Sequence, residues 1–187
     1  MRGHLGVPPP SVPPSLRPST WFLWHAHLIR RGSRVLDLAC GDGRHSLAAA
    51  ARGARVVAAD RDHAKLEAAR RKAAELGVEV EWLAADLEGT WPDWGVFDVV
   101  LVFNYLDRAR MPRIRDAVAP GGYLMMETFL DLQRQLGWGP RSDDHLLRAG
   151  ELARLVAPLE IVHGREVVEP AGPDRWRAVA SVVAQRV

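Results

Sequence analysis

Residues 34–46, RVLDLACGDGRHS, compress a strand, a tight turn and the start of a helix into thirteen positions. RVLDLA is short, branched and apolar, as a buried strand is, whereas the alanine-rich continuation HSLAAAAR up to Arg52 has helical composition. The glycines between them permit the sharp turn such a join needs. Downstream the alternation repeats. ARVVAAD (54–60) reads as a second strand, residues 61–77 as a helix stopped at Gly77, VEVEWLAAD (78–86) as a third strand and the almost continuously apolar VFDVVLVF (96–103) as a central one. A helix over 109–118 then leads through Pro120, Gly121 and Gly122 into a fifth strand, YLMMETF (123–129).

Beyond that point, 131–144 reads as a polar, glycine-containing loop or lid, and 145–157 as a helix. The strands LEIVHGREVVE (159–169) and RWRAVASVVAQRV (175–187) flank a turn-like EPAGPD and predict a hairpin. Upstream, Ser19 or Thr20 can cap a helix over WFLWHAHLIR (21–30). Strand–helix alternation demands right-handed crossovers. The expectation is therefore one α/β domain, a doubly wound Rossmann-like sheet of seven mostly parallel strands with a C-terminal antiparallel hairpin.

Composition narrows the function. At 187 residues and 48% apolar content the chain supports one core, with residues 1–18 expected as a disordered proline-rich arm and 19–187 as the domain. Twenty-five basic against twenty-three acidic residues leave a net charge of +2, with no basic block, so nucleic acid is not an expected partner. One cysteine, Cys40, removes intrachain disulfides and makes a structural zinc site a poor fit; no metal is expected. No apolar run reaches the roughly 20 residues of a membrane span, and no signal-peptide core is present, so a cytoplasmic location is expected.

In an open α/β sheet, ligands bind beyond the carboxyl ends of the strands. Those ends carry Asp37 with the Cys40, Gly41, Asp42, Gly43 loop, then Asp60, Asp86, Asn104 with Tyr105, and Glu127 with Thr128. Asp60, roughly 20 residues past the loop, is placed to accept ribose hydroxyls, which points to an adenosine-type ligand. Charge separates the candidates. A pyrophosphate would be opposed by Asp37 and Asp42, and the third glycine of the dinucleotide fingerprint is missing. The ammonium and sulfonium of S-adenosylmethionine would be attracted.

VLDLACGDGRHS, VVAAD, AAD, FDVVLVFNYL and APGGYLMMETF, in that order, resemble the motif set of class I S-adenosylmethionine-dependent methyltransferases over about residues 34–129. FNYL, ETF and DDHLLRAGEL are further similar to small bacterial methyltransferases grouped with tellurite-resistance proteins. The resemblance implies that Asp37, Ala39, Cys40, Gly41 and Gly43 surround the methionyl part, Asp60 and Arg61 the ribose, and Asp86 and Leu87 the adenine. Phe103, Asn104 and Tyr105 would close the far side. The implied product is S-adenosylhomocysteine.

Methyl transfer by in-line displacement needs alignment more than covalent help, so a thiolate or reduced metalloid acceptor would require no base. An amine or hydroxyl would use one, and His25, Tyr105, Glu127 and His145 are the candidates. Cys40 has no histidine placed to activate it and reads as turn filling. The acceptor is expected to be a small molecule. Two other readings stay open: a catalytically silent module that binds S-adenosylmethionine, and an NAD-dependent oxidoreductase.

Overall fold

A computed structural model describes residues 17–89 and 91–187. The expected arm therefore falls almost entirely outside the described residues. Seven strands form one sheet: β1 (Arg34–Leu38), β2 (Arg55–Asp60), β3 (Glu81–Ala84), β4 (Phe97–Phe103), β5 (Val118–Phe129), β6 (Glu160–Gly172) and β7 (Arg175–Gln185). Their order is β3-β2-β1-β4-β5-β7-β6. The first five are mutually parallel, whereas β7 enters antiparallel between β5 and β6.

Helices α1 (Thr20–His25), α2 (Arg44–Ala51), α3 (His63–Leu76), α4 (Met111–Asp116) and α5 (Glu151–Val156) cover the two faces. On one face Trp21, Phe22 and Ile29 pack with Ala49, Val35, Val99 and Met125. On the other, Met111, Ile114, Leu152 and Val156 pack with Leu36, Val100, Leu124 and Ala180. Coverage from both sides is why β4 carries six buried residues in its seven and why its sequence is apolar almost throughout. Successive side chains go to opposite layers: Val99 and Leu101 join the first, Val100 and Val102 the second.

Helix ends follow local chemistry. Ser19 caps α1 by accepting from the Phe22 amide, and Asp62 caps α3 by accepting from that of Lys65, while Gly77 ends α3 with φ +65°. The structure also corrects several boundaries. The helix expected over 21–30 gives way to a 3-10 turn at Ala26–Leu28, and the third strand is only four residues long. The helix expected from 145 begins at Glu151, because Gly150 lies in the left-handed region and breaks the run. Residues 131–144 contain two 3-10 turns, Asp131–Leu136 and the start of Asp143–His145.

Pro120, Gly121 and Gly122, expected as a turn before β5, lie inside it, at the irregular register between Phe97 and Val99 of β4. Gly122 is required there. A Cβ at that position would stand 2.9 Å from the carbonyl oxygens of Ala119 and Asp98 and 3.1 Å from that of Phe97, all of them backbone. Gly122→Ala is accordingly expected to destabilise the domain by about 2 kcal/mol, read as a lowered urea midpoint at unchanged slope.

Candidate functional site

β1 and β4 are neighbours in the sheet, but the chain leaves β1 toward β2 and leaves β4 toward β5, so their carboxyl ends open a crevice. The residues that turn the chain away are Ala39 (φ +54°) and Asn104 (φ +56°), the two non-glycine positions with positive φ among the described residues. Both line a cavity of about 410 Å³. Backbone held in this sparsely populated region clusters at ligand sites.

Asp60 forms one wall and also holds the glycine loop in place. Its Oδ2 accepts from the Gly41 amide at 2.7 Å and its Oδ1 from the Asp62 amide at 2.9 Å. The Cys40 amide donates to the Ala59 carbonyl and that of Gly43 to the Cys40 carbonyl. Three loop amides are thus spent inside the protein. Each Asp60 oxygen keeps a further lone pair for a donor in the cavity.

Across the cavity, Asp86 accepts from the Glu88 amide at 3.0 Å, which fixes its carboxylate beside the buried Leu87. Arg61 and Glu88, both exposed, face one another at 3.7 Å over the rim. Tyr105, Phe129, Pro140 and His145 complete the other end. Burial, and then the Asp107 carboxylate, push the Tyr105 phenol above its ordinary range. The backbone on either side of His145 is held by Arg108, which donates to the carbonyls of Asp143, Asp144 and Leu146 and pairs with Glu151 at 2.6 Å. Arg108 thus fastens the segment that carries His145.

Of the residues expected at the cofactor, Ala39, Asp60, Arg61, Asp86, Leu87, Asn104 and Tyr105 share the cavity wall. Gly41 belongs beside them through its bond to Asp60, and the space where its side chain would stand is open. The other four are not on that wall. Asp37 is buried and bonded to the Ser46 hydroxyl at 2.5 Å; Cys40 packs with Ala58 and Leu66. Trp82 fills the space next to Gly43, and Phe103 stacks on His45 at 3.9 Å under α1.

Two base candidates are also placed elsewhere. His25 faces Trp21 O and His163 Nδ1, each at 2.9 Å. Glu127 is buried among Arg165 (3.3 Å), Arg177 (3.0 Å) and the Ser181 hydroxyl (2.8 Å). Glu127 at a strand end and His25 on the helix before β1 are both titratable groups that sequence alone offers to a site, and only the packing of α1 and β7 reveals that they are occupied. Conversely, sequence reasoning missed Lys65, Leu106 and Phe129 on the wall. Lys65 carried a legible signal, since the first turn after an Asp-ended strand faces the same crevice.

Burial raises the Asp37 carboxyl from an ordinary 3.8 to about 7, against the hydrogen bonds from Ser46. The folded state therefore holds this proton more tightly than the unfolded chain does. Its contribution to stability is complete below pH 4 and is lost as pH rises to about 7. Asp37→Asn should remove that part of the decline, measured by comparing urea midpoints of the two proteins across pH 4 to 8.

Residues 35–122 match the methyltransferase domain family. A ubiquinone biosynthesis O-methyltransferase of Agrobacterium fabrum is 29% identical over 81% of this chain and 69% of its own length. An uncharacterized protein of Mycobacterium tuberculosis is 45% identical over 73 residues, which are 39% of this chain and 27% of that one. The chain thus spans about a quarter of the length of that relative.

Among solved structures, TehB from Haemophilus influenzae superposes with a TM-score of 0.73 at 16% identity, over 88% of this chain and 61% of TehB. Magnesium protoporphyrin IX methyltransferase from Synechocystis, with bound S-adenosylmethionine, gives 0.66 at 16% identity, over 89% and 75%. Such distant likenesses establish the fold. Among the described residues no helix is long and apolar enough to cross a membrane.

Proposed function

We propose that this chain, which has the fold and the domain of the class I S-adenosylmethionine-dependent methyltransferases, moves a methyl group from that cofactor to a small-molecule acceptor. The observation that carries the cofactor choice is how the glycine loop spends its amides. A pyrophosphate needs free N–H groups at such a loop. Here Gly41 already donates to Asp60, and the Cys40 and Gly43 amides are satisfied by backbone carbonyls. Exposed Asp42 adds negative charge beside them. A ligand bearing positive charge fits where a dinucleotide does not.

The remaining residues suit the rest of the cofactor. The free lone pairs of Asp60 are available to ribose hydroxyls, Asp86 to the adenine amino group, and Leu87 to the apolar face of the ring. A cavity of about 410 Å³ lies within the range, roughly 300 to 1,000 Å³, of sites for such molecules. When bound, S-adenosylmethionine supplies a methyl carbon activated by a positively charged sulfur.

The protein's task is alignment, and holding the reactants in near-attack geometry is worth roughly 7 to 11 kcal/mol. Tyr105 and Phe129 line the cavity with aromatic rings, which would shield the transfer path from water. His145 is the imidazole on that wall, so an acceptor that must shed a proton, a hydroxyl or an amine, is favoured. With the cofactor held by Asp60, Asp86 and Leu87, its sulfonium would supply the activated methyl group, and His145 would take the proton that a hydroxyl or amine acceptor sheds.

Thermal unfolding tests the cofactor. S-Adenosylmethionine or S-adenosylhomocysteine at about 100 times its dissociation constant should add roughly 2.7 kcal/mol and raise the midpoint by several degrees, while NAD should not. Stabilisation by NAD alone would end this reading. Product formation from an acceptor panel tests catalysis, and binding without turnover would leave a silent module. His145→Gln should slow transfer to phenols and catechols about 100-fold or more and leave transfer to thiols nearly unchanged. Equal slowing of both would make His145 a packing residue.

A further inference from the structure

α1 is six residues long, too short to persist alone, so it depends on what fastens it to the sheet. Besides the packing of Trp21 and Phe22, imidazoles hold it at both ends. At its start, the amide of the capping residue Ser19 donates to His45 Nε2 at 3.1 Å. At its finish, His25 stands between Trp21 O and His163 Nδ1, each 2.9 Å from one of its ring nitrogens. His45 belongs to α2 and His163 to the outermost strand, β6, so α1 is strung between the two.

The protons in these bonds follow from the partners. A carbonyl only accepts, so His25 Nδ1 carries the hydrogen that goes to Trp21 O, and a neutral His25 has only a lone pair at Nε2. His163 Nδ1 must then donate to it. The pair can take one proton, at the far nitrogen of His163, and keep this bond. A second proton, at His25 Nε2, sets N–H against N–H and cation against cation. His45 is stricter still, because an amide has no lone pair to offer in return, and a single proton on Nε2 breaks its bond to Ser19.

The surroundings oppose those protons. Burial holds the His25 imidazole below its ordinary 6.5 against the bond to Trp21 O, and His163, His27 and Arg165 add to the effect. His45 is pushed well below the same value by burial, then by Arg44 and Arg177. The carboxylates of Glu127 and Glu169 are bound to Arg165 and Arg177. The folded state therefore holds both imidazoles neutral more readily than the unfolded chain does. Their contribution to stability is complete above pH 6.5 and is lost as pH falls through the lowered values.

We propose that α1 is a pH-sensitive clasp, held on the sheet while His25 and His45 are neutral and released when they take up protons. Release withdraws Phe22 from His45 and Phe103, and Phe103 leads directly into Asn104 on the cavity wall. The cavity is thereby coupled to pH through a helix that lends it no lining residue. This holds whatever the cavity binds.

Hydrogen exchange of the α1 amides, with those of α3 as internal standard, tests it. Expressed as protection factors, so that intrinsic rates cancel, α1 protection should fall about 10-fold or more between about pH 7.5 and pH 5, while α3 stays level. His163→Gln supplies an amide that can both donate to and accept from His25 at every pH, and His163 is exposed, so the change spares the core. His45→Gln likewise offers Ser19 a permanent acceptor. Each change should reduce the fall, and the two together should abolish it. The melting temperature of each variant at neutral pH reports whether its fold has survived; if His45→Gln does not fold, His163→Gln decides alone. No fall in the unaltered protein, an undiminished fall in the folded variants, or loss of α3 protection in step with α1 overturns the clasp.

Discussion

The site depends on the reversal of strand order between β1 and β4. Once the chain leaves two adjacent parallel strands in opposite directions, no crossover can cover the gap between their ends. Ala39 and Asn104 adopt a left-handed backbone there, which for residues with a side chain costs free energy, of order 1 to 3 kcal/mol at each position. The sheet tolerates that cost because β1 and β4 are buried on both faces and hydrogen-bonded in register from Val35↔Val99 to Leu38↔Val102. Asp60 then serves two ends at once. It secures the loop through Gly41 and presents its remaining lone pairs to the cavity.

The side of the sheet away from Asp60 is organised differently. β7 pairs with β5 from Tyr123↔Gln185 to Phe129↔Val179, which brings Glu127 opposite Ser181 and within reach of Arg165 and Arg177. A buried carboxylate between two guanidinium groups is held by its geometry rather than by a large net gain in stability. Arg165 is also stacked by Trp21 and Trp24, at 5.0 and 4.9 Å from the ring centres, so α1 is tied to the same cluster. The hairpin and the amino-terminal helix are thereby fastened to the end of β5.

Fold legibility followed burial. The strands covered on both faces, β1 and β4, were plain in the sequence because they are mostly branched and apolar, and α3 was plain because a capping Asp and a terminal Gly bracket a strongly helical run. β3 was overestimated, since VEV before it has strand composition without a neighbour to pair with. At the site, Asp60 and Asp86 were legible from their place after apolar runs. Asp37 and Glu127 followed the same rule, and His25 was a candidate on the helix before β1, but the three answer to partners more than 8 residues away, Ser46, Arg177 and His163, which no local pattern discloses.

The wall beside His145 is built unlike the rest of the cavity. Asp60, Asp86 and Asn104 stand on or just after strands, whereas Pro140 and His145 belong to a stretch fastened by side chains: Arg108 to Glu151 and three carbonyls, Gln133 to Trp138 and Ala178, and Trp138 to Trp176. A change of sequence within that stretch alters the shape met by an incoming acceptor without disturbing any strand pairing. Donor recognition and acceptor choice are therefore separable under selection, and a lineage keeping the first can explore the second one fastening at a time.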